Sequence, residues 1–283
     1  MLEIKDLKEA HIERRPEFTP AVPIDLNDGY ARIPVILLVD VSASMYNALP
    51  FVNKQIQDFK SQIRKGNTGE QFIVDLAIVT FGEDEVKCFR DFDLLRTEEG
   101  FHLSVFSGRT PMGSALFLTY KYSQLRKEQY REAGISYRQP LIVIVSDFGD
   151  NDTAALVADG KVYRGFSIYK EMAELFNELF ALRKLAVVAI GVDPKDPKYE
   201  LDQESMGMLN VFKTTSSDNM IGGALAEVFK AFHASLKMKG GKRMGKNADK
   251  KAKSDKDKEV LKFSGKEIAD WLSNLQQDEE VDY

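Results

Sequence analysis

Asp40, Ser42 and Ser44 fall on alternate residues of the run Asp40-Val41-Ser42-Ala43-Ser44, so one short stretch offers a carboxylate and two hydroxyls. Oxygen donors of this kind suit a hard divalent cation, Mg2+ first, with Mn2+ or Ca2+ as alternatives, and not a thiophilic metal. Two more oxygens stand at comparable places. Thr110 precedes an expected helix start at Pro111-Met112, and Asp147 follows Ser146 at the end of the apolar run Leu141-Ile142-Val143-Ile144-Val145. Each has an ordinary reading when taken alone. Asp and Ser are common in strand-exit turns, Asp147 could cap the following turn, and Thr110 is a good helix N-cap.

The elements needed to bring these residues together are legible. Ile33 to Asp40 and Leu141 to Ser146 are apolar on both faces, as strands covered by helices on both sides are. Leu49, Val52, Ile56, Phe59 and Ile63 recur at helical spacing, with Gly66 as a stop. Phe72 to Phe81 reads as a second long strand, and Val86 to Phe89 pairs back on it as an antiparallel edge hairpin. Residues 94 to 110 read as a long surface loop, followed by a helix with Ala115, Leu118, Tyr122 and Leu125 on its buried stripe. Ile168 to Leu182 predicts another amphipathic helix, Leu185 to Ile190 a strand, Asn210 to Lys213 a short strand, and Leu225 to Leu236 a last helix. Strands alternating with helices predict an α/β, Rossmann-like, doubly wound and mostly parallel sheet with helices on both faces. Ligands of such sheets sit beyond the carboxyl ends of the strands, where Asp40 and Asp147 lie.

Composition narrows the partners. A net charge of −5 argues against bulk attraction to nucleic acid or anionic membrane. The single cysteine, Cys88, excludes an internal disulfide framework, and the three histidines lack the close spacing of zinc sites. No apolar run approaches membrane-spanning length and the first residues do not read as a signal peptide, so a cytoplasmic protein is expected. Four regions follow: an extended N-terminal arm over 1–30, the α/β domain over 31–238, a lysine-rich flexible linker over 239–262, and a short amphipathic helix with an acidic end over 263–283. The linker could touch nucleic acid, but Asp249, Asp255 and Asp257 break up its charge and favour a solvated tether. The helix around Trp271 either binds a partner or folds back on the domain.

Asp40-Val41-Ser42-Ala43-Ser44, Gly108-Arg109-Thr110-Pro111-Met112-Gly113-Ser114-Ala115-Leu116 and Ser146-Asp147, in this order, resemble the metal-ion-dependent adhesion site (MIDAS) of von Willebrand factor A (VWA) domains. The Thr-Pro-Met-Gly form, with Arg138-Gln139-Pro140 ahead of the Asp147 strand, is most similar to the bacterial tellurium-resistance, TerY-like branch. The resemblance implies that Ser42 and Ser44 ligate the metal directly, that Thr110 does so directly or through water, and that Asp40 and Asp147 hold metal-bound waters. It implies a non-enzymatic docking module, with a partner protein supplying an Asp or Glu to complete the coordination. By analogy that partner belongs to a stress-response or tellurium-resistance-like complex that includes a kinase or phosphatase. One departure stands out: this branch usually follows the last aspartate with glycine and a proline turn, whereas here Phe148-Gly149-Asp150-Asn151-Asp152 follows. Phe148 is expected at the metal rim, with Asp150 or Asp152 adding charge there.

Two catalytic readings compete on the same residues. Phosphoryl transfer through Asp40, as in a divalent-metal phosphohydrolase, normally needs a second acid two residues on, where this chain has Ser42. A serine hydrolase lacks its Gly-x-Ser-x-Gly elbow and a placed histidine base.

Overall fold

A computed structural model describes residues 7, 9–24, 30–66, 72–92, 100–194, 198–217, 220–237, 268 and 270 of the chain. Strand β2 (Ala31–Asp40) lies inside a six-stranded sheet, hydrogen-bonded in parallel to β3 (Phe72–Gly82) on one side and β5 (Leu141–Ser146) on the other. That position explains its apolar run, since both its edges and both its faces are covered. The sheet order is β4-β3-β2-β5-β8-β9, where β4 (Glu85–Arg90) pairs antiparallel with β3, and β8 (Ala186–Asp193) and β9 (Phe212–Ser217) extend it in parallel. The α/β, mostly parallel architecture with an antiparallel edge hairpin is therefore as the sequence predicts.

Side-chain alternation along β2 builds two cores. Ile36 and Leu38 join α2 (Met112–Glu132) and α3 (Phe166–Ala181) on one face. Val35, Leu37 and Val39 join α1 (Leu49–Gly66) and α5 (Ile221–Lys237) on the other. Phe59 of α1 stacks on Phe229 of α5 with ring centroids 3.9 Å apart. Ile268 is also buried in this second core, alongside side chains of α1 and α5. Trp271 lies outside the described residues.

Three elements go beyond the sequence reading. β6 (Ala155–Ala158) and β7 (Lys161–Arg164) form a hairpin, and β1 (His11–Ile12) pairs antiparallel with β6 to make a separate three-stranded sheet. The hairpin strands are too short for a convincing apolar alternation, but their turn carries a local signal. Asp159-Gly160 both adopt positive φ, 47° and 70°, the pattern of a tight hairpin turn. The third element, α4 (Gln203–Met208), is a short helix capped by Asp202, which accepts the Ser205 amide at 2.9 Å. The last strand runs over Phe212–Ser217, later than the expected 210–213; as a sheet edge it tolerates the polar Thr214-Thr215-Ser216 that pattern reading discounts.

The segment before β2 is tied along α2. Lys121 Nζ donates to the Ala10 carbonyl at 2.8 Å, Gln129 to the Pro20 carbonyl at 2.7 Å and Arg126 to the Val22 carbonyl at 2.8 Å. No described helix is long and apolar enough to cross a membrane.

Candidate metal centre at the carboxyl ends of the strands

Parallel pairing of β2 with β5 brings Asp40 and Ser146-Asp147 to the same crest, because Val39 is in register with Val145. Asp40 is fully buried, and both its oxygens are engaged. Oδ1 accepts the Ser42 amide at 2.8 Å and Oδ2 accepts the Ser146 hydroxyl at 2.7 Å. The first of these bonds folds the chain back after β2, so that Ser42 and Ser44 stand side by side with their Oγ atoms 3.0 Å apart. A short 3-10 turn over Ala43–Met45 holds Ser44 in place. Gly82 at the end of β3 leaves room for this loop, since a Cβ there would lie 3.1 Å from the Ser42 amide nitrogen.

Asp147 Oδ1 accepts the Gly149 amide at 3.1 Å, and the Ser44 hydroxyl lies near enough to favour its charged form. Thr110 comes from the loop before α2. The Thr110 amide donates to Asn151 Oδ1, and the Asn151 amide returns a bond to the Thr110 carbonyl at 3.1 Å, tying it to the loop that carries Asp147. The loop itself is seated by the Phe106 amide donating to the Val41 carbonyl at 2.8 Å. Asp40, Ser42, Ser44 and Ser146 thus form one hydrogen-bonded group, with Asp147 next in the chain and Thr110 joined to the Asp147 loop through the main chain.

Three local expectations are corrected. Thr110 is not the N-cap of α2; that position is Pro111, which offers no side-chain acceptor. The open amides of the first turn are satisfied from the loop after β5 instead. Asp150 Oδ1 accepts from Met112 at 3.0 Å, and Asp152 Oδ2 accepts from the Ser114 amide at 3.0 Å and from its hydroxyl. Asp150 and Asp152 therefore hold the helix start and do not decorate the rim, and Arg15 pairs with Asp152 at 3.0 Å. Phe148 is not at the rim either. It is fully buried in the α2/α3 core, in a left-handed conformation with φ 63° that favours glycine, and its amide donates to Ser146 Oγ at 2.9 Å. The burial of its ring offsets the backbone cost.

Ser146 is the residue that pattern reading undervalues. It accepts from Phe148 while donating to Asp40, so it joins the two acidic loops. Gly113 of the Thr-Pro-Met-Gly segment also has a packing reason, because a Cβ there would come within 2.7 Å of the Tyr169 amide nitrogen on α3.

Electrostatically the group is short of positive charge. Burial, then the Asp147 carboxylate, pushes the Asp40 carboxyl up to about 7. Burial raises Asp147 as well, against the opposing effect of the nearby Ser44 hydroxyl and the Gly149 amide. Burial and Asp152 push Asp150 to about 6. Among the described residues no Lys or Arg pairs with Asp40 or Asp147, and no group of three or more His, Cys, Asp and Glu is arranged as a metal site. The donors are hydroxyls and carboxylates alone, a set that fits Mg2+, Mn2+ or Ca2+. Asp40, with both oxygens engaged and no exposure, is poorly placed to attack a phosphoryl group in line.

No family profile and no curated protein sequence matches the chain. Solved structures do resemble it. The pilus adhesin SpaC from Lactobacillus rhamnosus GG, in its open conformation, superposes with a TM-score of 0.51 at 12% identity, over 78% of this chain and 31% of the adhesin. The present chain therefore spans about a third of that protein, and the likeness is one of fold. More distant are manganese-loaded Plasmodium vivax TRAP, at TM-score 0.39 and 18% identity over 70% of this chain and 73% of that one. The SpRpn10 VWA domain gives 0.40 and 13% over 69% and 93%.

Proposed function

We propose that the chain is a VWA-type docking module that binds a partner's Asp or Glu through a divalent cation at the crest formed by Asp40, Ser42, Ser44, Thr110 and Asp147. One observation carries the reading: two buried carboxylates stand among hydroxyls, and among the described residues no basic side chain pairs with either. A cation would supply that balance. Ser42, Ser44 and Thr110 would hold it through hydroxyls, and Asp40 and Asp147 would orient its waters. Neutral hydroxyls next to the ion leave it electrophilic enough to take an anionic oxygen from outside. The cation contributes a Lewis-acidic contact for that oxygen, and the chain's own part is to keep five oxygens in place. Mg2+ is the expected ion in the cell, with Mn2+ and Ca2+ able to substitute.

The closed surroundings of Asp40 support docking over Asp40-centred phosphoryl transfer. The Thr110–Leu116 segment supports a partner of the tellurium-resistance or stress-response type, in a cytoplasmic complex with a kinase or phosphatase. Calorimetric titration with Mn2+ tests the cation, and micromolar-to-millimolar binding lost in Ser42→Ala/Ser44→Ala is the expected result. A pull-down from the native host with and without chelator tests the docking. A partner retained equally by both proteins in both buffers would remove the metal from the mechanism.

A further inference from the structure

Arg15 lies in the segment ahead of the sheet, apart from every residue of the candidate cation site, yet its guanidinium reaches the two loops that flank Thr110. Nη2 pairs with Asp152 Oδ1 at 3.0 Å, and Nη1 donates to the Asp84 carbonyl in the turn between β3 and β4. The Asp152 side chain is 0% exposed and that of Arg15 12%, so this charge pair is shielded from water. A planar guanidinium holds two acceptors at once in a fixed fork, which makes it a bridge as well as a countercharge.

Both loops decide where Thr110 stands. On its N-terminal side the Asp84 amide donates to the Arg109 carbonyl at 3.1 Å, and Gly108 packs so closely on the same turn that a Cβ would come within 2.7 Å of Glu83 Cα. On its C-terminal side Asp152 Oδ2 accepts from the Ser114 amide and hydroxyl at the start of α2, while Oδ1 also takes the Ala154 amide at 2.9 Å. Arg109 Nη1 reaches across to the Thr153 hydroxyl at 3.1 Å. Arg15 thus joins the turn that seats Arg109 to the loop that seats Ser114, with Thr110 between them. Its own place is fixed by the small sheet: Ile12 is buried in the α2/α3 core, the Glu13 amide donates to the Ala155 carbonyl at 2.8 Å, and the chain turns at Arg14, whose φ is 62°.

We propose that Arg15 is a positioning residue for Thr110, so that the segment 11–15 is a working part of the cation site and not only a strap along α2. The proposal rests on the cation-docking reading above. Without the guanidinium, the β3–β4 turn and the loop after β5 lose their shared tie, Asp152 loses this countercharge, and Thr110 loses the fixed place that a ligand oxygen needs. Ser42 and Ser44, held through Asp40, keep theirs.

The test is a Mn2+ titration of the full chain, of Arg15→Ala, of Thr110→Ala and of the double variant, each shown to be folded by its urea midpoint. Arg15→Ala should weaken Mn2+ binding about ten-fold. In the Thr110→Ala background the same change should cost under about two-fold, because the residue through which Arg15 acts is already gone. Lys121→Met cuts the ties of the same segment to α2 at Ala10 and Glu17 and should leave Mn2+ affinity at the parent value. If Arg15→Ala does not fold, Arg15→Lys takes its place in both backgrounds, keeping the charge but not the fork, with an expected loss of about three-fold. Parent-like affinity in the folded Arg15 variant overturns the inference. So does an equal loss in the two backgrounds, or a loss in Lys121→Met as large as that in the Arg15 variant. A parent chain that binds no Mn2+ overturns the docking reading together with this one, whereas a parent and an Arg15 variant that bind equally well leave docking standing and remove only the role of Arg15.

Discussion

Two ends of the same sheet bury carboxylates and treat them differently. Towards the start of β3, Asp75 is fully buried and meets Arg126 at 2.8 Å and the Tyr130 hydroxyl at 2.7 Å, with Arg32 at 3.9 Å. At the carboxyl ends of the strands, Asp40 is fully buried and Asp147 nearly so, and among the described residues the bonds they accept come from hydroxyls and amides. Taking a charge out of water costs several kcal/mol unless a countercharge or many hydrogen bonds offset it. At the first end the countercharge is built into the chain. At the second no described basic side chain supplies it, and burial, then the Asp147 carboxylate, raises the Asp40 carboxyl to about 7. A closed ion pair is structural, whereas an open one leaves a place for an ion from outside.

The comparison can be broken most forcefully at its closed end. Arg126→Met strips Asp75 of its nearest cation and should destabilise the fold by about 3 kcal/mol or more, read as a fall in urea midpoint that Mg2+ does not repair. A near-neutral result would mean that Arg32 alone balances Asp75 and that the two ends are less different than their geometry suggests.

The open end should behave in the opposite sense. With the folded Asp40 carboxyl raised to about 7 from its ordinary 3.8, its stabilising contribution is complete below about pH 4 and is lost as pH climbs through 7. Metal-free Asp40→Asn should therefore be as stable as the parent protein below about pH 4 and more stable, by about 1 kcal/mol or more, at pH 8. Chemical denaturation in EDTA at the two pH values checks this, and equal gains at both would sink it. The same linkage predicts that Mn2+ affinity increases between pH 6 and 8, by up to about ten-fold per pH unit below 7, because the ion must displace the Asp40 proton.

Smaller effects sharpen how the open end is held up. Gly113→Ala should cost about 1 to 3 kcal/mol by driving α2 off the Tyr169 amide, with metal affinity falling as Thr110 shifts along with the helix start. Asp150→Ala should cost about 1 kcal/mol through the lost cap on Met112, measurable as a drop in Tm of a few degrees. If either variant left Mn2+ binding and stability untouched, the start of α2 would not be a support of the site.

Much of this molecule could be read from patterns whose cause is local. Runs apolar on both faces, such as Ile33 to Val39, report burial between helices, and the helical spacing of Leu49 to Phe59 reports a single packed stripe. The site signals were also local, since Asp40, Ser42 and Ser44 are neighbours and their hydrogen bonds span two residues. Thr110, Asp147 and Asp40 were brought into relation only by the order of strands in a parallel sheet and by the family resemblance. The β6–β7 hairpin escaped because four-residue strands carry too few positions to show a period, although Asp159-Gly160 marked its turn.

By itself the sequence determined the parallel α/β sheet, the chemistry of the oxygen donors and, through its single cysteine, the lack of an internal disulfide framework, because these follow from residue type and short-range spacing. Only the tertiary structure decided what Phe148, Asp150 and Asp152 are for. From the sequence they read as decoration on a metal rim. In the fold, a left-handed turn sends the Phe148 ring into the core and carries the two aspartates to the start of α2, where open amides and a proline-headed helix need acceptors. Their partners lie 38 residues away in the chain, and no local pattern encodes a contact that distant.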